Sequence, residues 1–140
     1  MVKKKHCIKN DMVTSPQHEV LYLSETYEGS VHDITIVKEE DWQFPENIIV
    51  YQDTGFQGHA PDNVLVMQPL KKPKGKELTK AQKNNNKQIS SIRVIVEHTI
   101  GKVKIFRIVK DTIRNWKQGF KDLVMVICCG LNNFKVTFEN

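Results

Sequence analysis

The sequence predicts an α/β fold in which helices pack on a sheet. Two short runs rich in β-branched and apolar residues, Asn47-Ile48-Ile49-Val50-Tyr51 and Val64-Leu65-Val66-Met67, each stop at a turn signal. Two long stretches in the C-terminal half carry apolar residues at helical spacing. Elements of these two kinds bury their apolar surfaces against each other in layers.

Each element can be read in order. Residues 3–14 alternate loosely and reach Ser15-Pro16, a turn signal. Val20-Leu21-Tyr22-Leu23-Ser24 follows as a strand that pairs back on the first segment. Tyr27-Glu28-Gly29-Ser30 breaks it, and a short helix begins near Val31-His32-Asp33, with Ser30 as the expected N-cap. Pro45 closes that unit. The run at 47–51 is continuously apolar, the pattern of a strand covered on both faces. Residues 71–88 are polar, with many lysines and asparagines, and read as a basic linker. From about Ile89 the helical period sets in: Ile92, Ile95, Val96, Thr99, Ile100, Val103 and Phe106 share one stripe, with Gly101 inside it. The last helix repeats the pattern through Phe120, Leu123, Val124, Ile127, Cys128, Leu131 and Phe134. The expected organisation is therefore sheet and short helix in 1–70, basic linker in 71–88 and helices in 89–140.

At 140 residues and 39% hydrophobic content the chain can close one modest core. Three cysteines without framework spacing, Cys7, Cys128 and Cys129, argue against a disulfide scaffold and for a reducing, cytoplasmic setting. No apolar run reaches the roughly 18 residues of a membrane span, so no membrane partner is expected. The net charge of +5 is unevenly distributed. Residues 1–70 carry −6, residues 71–121 carry +12 and residues 122–140 carry −1. A polyphosphate is the natural partner for such a block, because cations placed near phosphates release condensed counterions. A solvated basic face is the alternative.

Several residues could carry chemistry. Asp53 follows the 47–51 strand, and ligand sites in open α/β sheets lie at strand ends. Thr54-Gly55 turn the chain there; Asp53 could equally do no more than cap that turn. Glu97 lies on the long helix in a basic stripe with Arg93 and Lys104. It could bind a cation or simply make ion pairs one turn away. Gly101, four residues on, costs about 1 kcal/mol relative to alanine in a helix interior. Either a phosphate backbone or a neighbouring element could require that gap. His32-Asp33 sit at a helix start, where the acid suits the dipole, so a structural role competes with a site role. His6, His59 and His98 have no metal-ligand spacing.

Gly29-Ser30-Val31-His32-Asp33, Tyr51-Gln52-Asp53-Thr54-Gly55-Phe56-Gln57-Gly58 and Arg93-Val94-Ile95-Val96-Glu97-His98-Thr99-Ile100-Gly101-Lys102-Val103-Lys104 occur in that order. The opening Lys3-Lys4-Lys5-His6-Cys7-Ile8-Lys9 and the tail Leu123–Phe134 frame them. Together they resemble the DDE transposases of bacterial insertion sequences and the related Harbinger-like DDE superfamily endonucleases, over nearly the whole chain.

The resemblance implies a ribonuclease-H-like mixed sheet flanked by helices. It implies a site of three carboxylates holding two Mg2+ or Mn2+ ions, which cleaves a strand with water and then directs the freed 3′-hydroxyl at target DNA. Asp53 matches the second carboxylate and Glu97 the third. Lys3, Lys4, Lys5, Arg93, Lys104 and Arg107 become the expected DNA contacts, with the Lys71–Lys87 segment further out. His32, Asp33, Gly55 and Gly101 become supporting positions. The family's first carboxylate lies upstream of the lysine-rich opening, so the expected chain is the C-terminal part of a catalytic domain, lacking the first strand and inactive alone. An upstream transposase half would complete it, in a multimer on transposon ends and target DNA in the bacterial nucleoid. The alternative is a truncated, non-catalytic remnant that still binds DNA through its basic segment.

Overall fold

The computed structural model describes residues 7–110, 115 and 117–139. In chain order the elements are β1 (Ile8–Lys9), β2 (Met12–Thr14), β3 (Val20–Leu23), β4 (Tyr27–Glu28), α1 (Asp33–Glu40), β5 (Ile48–Tyr51), a 3-10 helix (Thr54–Phe56), β6 (Val64–Met67), α2 (Lys80–Val103), α3 (Arg107–Lys110) and α4 (Phe120–Glu139). The fold class is α/β. The described strands form three two-stranded sheets: antiparallel β1–β4, antiparallel β2–β3 and parallel β5–β6. Two compact units result, Met1–Val31 with Ile95–Asn140, and His32–Val94.

In the first unit β2 and β3 form the expected hairpin. Ser15 builds its turn, because its hydroxyl accepts from the backbone N–H groups of Gln17 and Glu19. His18 takes a left-handed backbone, φ 69°, to complete it. The core gathers Val20 of β3, Val103 of α2, and Val124, Met125, Cys128 and Cys129 of α4, with Phe106 and Phe120 at its border. Each such side chain contributes roughly 1.5–3 kcal/mol on full burial. The paired cysteines are core residues as expected. Burial and the neighbouring Cys128 push the Cys129 thiol up to about 11.

Polar side chains fix the register of α4 on β3. The Asn133 amide accepts from Val20 N–H at 2.8 Å and donates to Val20 C=O at 2.8 Å, as a neighbouring strand would. Asn132, buried, donates to the carbonyl of His18 at 3.0 Å.

In the second unit Ile36 and Val37 of α1 and Ile89 of α2 are the buried apolar residues. Asp41 ends α1 in a left-handed conformation, φ 45°.

Six readings change. Tyr27–Glu28, expected as a break, forms β4, and Phe106, expected on the long helix, lies beyond α2, which ends at Val103. The cap of α1 is His32, not Ser30, and no side chain bonds the helix start, because the chain enters the helix two residues later than the Ser30 pattern indicates. The 47–51 strand is not covered on both faces. Ile49 and Tyr51 are exposed, since β5 pairs only with β6 among the described strands and one face of that pair is open. The helix expected from Ile89 starts at Lys80. Thr79 and Gln82 form a reciprocal cap: the Thr79 hydroxyl accepts from Gln82 N–H and the Gln82 carbonyl oxygen accepts from Thr79 N–H. The capping pair starts the helix where no apolar period is present to reveal it. Finally, the apolar stripe of α4 is split. Val124 and Cys128 are buried while Leu123, Ile127, Leu131 and Phe134 are exposed.

Candidate active site

The turn after β5 is braced before it presents anything. Gln52 is buried and its N–H donates to Met67 C=O at 3.0 Å, continuing the parallel ladder. Gln68, just past β6, donates to the Gln52 side-chain oxygen at 2.7 Å and to Phe56 C=O at 3.1 Å. Two glutamines thus tie the 3-10 helix to the strand ends. Asp53 is held at the start of that helix. Its Oδ1 accepts from Thr54 N–H at 2.6 Å, so the capping role is real.

The same oxygen also faces Arg93 Nη1 at 3.4 Å, on α2. Both side chains are a little under half exposed, 43% for Arg93 and 45% for Asp53, so the pair is open to water and to exchange of partners. Glu97 follows Arg93 by four residues on the same helix and is exposed.

Asp33, the first residue of α1, lies against the turn. A Cβ on Gly55 would stand 2.8 Å from Asp33 Oδ2, so any larger residue at 55 would push that carboxylate away. The glycine, two residues after Asp53, thus leaves room for a carboxylate of α1. His32 is the exposed cap of α1.

The remaining expected residues lie on their own elements. Lys104 and Arg107 are exposed at the end of α2 and the start of α3. Gly101 has nothing within 4 Å of where a Cβ would sit, so packing among the described residues does not require it. Lys3, Lys4 and Lys5 lie outside the described residues. Lys71, Lys72, Lys74 and Lys76 are exposed in the loop before α2. Asn86 clamps that loop, its amide bonding both N–H and C=O of Leu70. Among the described residues no group of three or more His, Cys, Asp or Glu side chains could hold a metal ion. His59 borders a cavity of about 300 Å³ with Lys38, Trp42 and Phe44. Burial, aided by the Lys38 charge, pushes its imidazole below the usual range.

Gln52, Gln68 and Asn86 were not singled out from sequence. The signal for Gln52 was present, in its place between the β-run and Asp53; nothing local marks Gln68.

Residues 1–133 match the family described as DDE superfamily endonuclease. The chain belongs to that family. A curated relative, "Probable transposase for insertion sequence element IS702" from Microchaete diplosiphon, is 31% identical over 134 residues, 96% of this chain and 48% of the relative. The chain thus spans about half the length of that relative. No solved structure matches. Among the described residues no helix is long and apolar enough to cross a membrane.

Proposed function

We propose that this chain supplies the second and third carboxylates, Asp53 and Glu97, of a divalent-metal-dependent DNA endonuclease and strand-transfer site. One observation carries the reading: the Asp53–Arg93 ion pair ties the turn after β5 to the helix that bears Glu97. The fold that goes with it is a ribonuclease-H-like mixed sheet flanked by helices. A further carboxylate would complete the site.

The donor chemistry fits the ions. Carboxylate oxygens suit hard cations such as Mg2+ or Mn2+, which are commonly held by one or two carboxylates plus substrate phosphate oxygens. Two such ions supply charge for the attacking and leaving oxygens of an in-line phosphoryl displacement. The protein's own share is positioning. Gln52 and Gln68 hold the Asp53 turn, Gly55 leaves room for Asp33, and Arg93 neutralises Asp53 until a cation takes its place. In the complete site Arg93 would contact a DNA phosphate, with Lys104 and Arg107 further along the chain as additional phosphate contacts.

The test is Mn2+ binding followed by electron paramagnetic resonance on the purified chain. Asp53→Asn and Glu97→Gln should each weaken binding at least about tenfold, a loss of roughly 1.4 kcal/mol. Unchanged binding in both variants would end the carboxylate assignment. Any metal-dependent DNA nicking that the site supports should be lost in both variants.

A second reading is a non-catalytic member that binds DNA. The exposed lysines at 71, 72, 74 and 76 favour it, since they serve binding whether or not the site is complete. It predicts retention on DNA with no dependence on Asp53 or Glu97.

A further inference from the structure

Helix α4 carries an apolar face that the chain's own core does not use. Its buried side holds Val124, Cys128 and Val136. Its outer side holds Ile127, Leu131, Phe134 and Phe138, exposed by 50, 47, 66 and 74%. Leu123 and Val126, also exposed, widen the face. Single exposed apolar residues need no explanation, but a contiguous face does.

The spacing along this face is four, three and four residues. That alternation is the spacing of one continuous helical face, which fits the side of another helix. The pattern is also self-complementary. With two copies antiparallel, Ile127 meets Phe138 of the other copy and Leu131 meets Phe134, twice over. Lys121, Asp122, Lys135 and Glu139 leave α4 with no net charge, and Lys135 and Glu139 already pair with each other at 3.3 Å. A second copy is therefore not repelled, and DNA, which seeks cations, gains nothing on this face.

Two further features point the same way. Gly130 sits beside the seam, and among the described residues no packing atom outside the helix's own backbone lies within 4 Å of where its Cβ would be. The chain itself thus gives no reason for a helix-interior glycine that costs about 1 kcal/mol. An approaching helix gives one. A groove of about 200 Å³ also opens beside Gly130, between Val126 of α4 and Leu21 of β3, where side chains of an incoming helix can lodge. The six exposed side chains present on the order of 600 Å², at the upper end for a monomer's largest apolar patch. Covering that area on two copies reaches about 1,200 Å², the lower bound of a stable specific interface.

We propose that α4 is a self-association surface, on which a second copy of this chain lays its own α4 antiparallel through the Ile127–Leu131–Phe134–Phe138 seam. The proposal does not depend on the metal-site reading.

Sedimentation equilibrium on the full chain tests it. A concentration-dependent dimer is expected, and a monomer at every accessible concentration overturns the proposal. Phe134→Glu should raise the dissociation constant by at least about tenfold with an unchanged circular dichroism spectrum. A dimer indifferent to that change also overturns it. The double variant Leu131→Lys with Phe134→Glu should recover dimer, because antiparallel seating sets lysine opposite glutamate at both crossings. Parallel seating would set like against like, so failure to recover dimer rejects the antiparallel arrangement. Cover by a segment found only in longer relatives predicts the monomer outcome.

Discussion

At the residue scale, the two glycines near the expected site differ in their surroundings. At Gly55 a Cβ would meet the flexible end of Asp33, whose Oδ2 stands 2.8 Å from its position and would have to swing aside. Gly101 is forced by nothing within 4 Å. Gly101→Ala should therefore stabilise the chain by up to about 1 kcal/mol, the helix-propensity difference alone. In chemical denaturation the midpoint should rise with an unchanged slope. If the open space at 101 admits a phosphate backbone, the same variant should weaken DNA binding while it stabilises the fold. A destabilised variant would instead show a close packing partner. Asp53 and Glu97 stand out through the family motifs they match, since their local settings alone fit a turn cap and ordinary ion pairs equally well. The bracing of Asp53 could not be read from sequence, because Gln68 acts across a strand pair, 16 residues from Gln52, and no local pattern records that register.

At the element scale, periodicity found the helices and missed their extents. The first nine residues of α2 are Lys, Ala, Gln, Lys, Asn, Asn, Asn, Lys and Gln, with almost no apolar signal. Their helical state rests on the Thr79–Gln82 cap and on Asn86, whose side chain holds Leu70. Thr79→Ala should cost about 1 kcal/mol, the usual loss of an N-cap hydroxyl. Faster amide exchange confined to the first turns of α2 would locate the effect, whereas uniform exchange across the helix would count against it. In α4 the spacing was correct, but a single apolar stripe was expected to face one core. Apolar residues instead occupy two faces. Asn132 and Asn133, through their bonds to His18 and Val20, decide which one turns inward. Hydropathy alone cannot weigh those bonds.

At the scale of the whole molecule, the dominant feature is segregated charge: −6 over residues 1–70 against +12 over residues 71–121. That was legible in full, because charge is a property of composition. Its local balance was not. Glu77 accepts from Lys72 and from Lys83, which hold its carboxyl below the usual range and tie up two cations of the basic loop. Lys71, Lys74, Lys76 and Lys80 remain exposed around them. If this block grips DNA phosphates, the logarithm of the binding constant should fall linearly with the logarithm of salt concentration. Each phosphate contact contributes about −0.9 to that slope on duplex DNA. Changing Lys71, Lys74, Lys76 and Lys80 together to glutamine should flatten the slope by about 3 to 4. Glu77→Gln should act in the opposite sense, because it frees Lys72 and Lys83 for phosphate and steepens the dependence. A slope indifferent to both changes would place the DNA contacts elsewhere. A slope that responds to the lysines but not to Glu77 would show that the two ion pairs already open when DNA arrives.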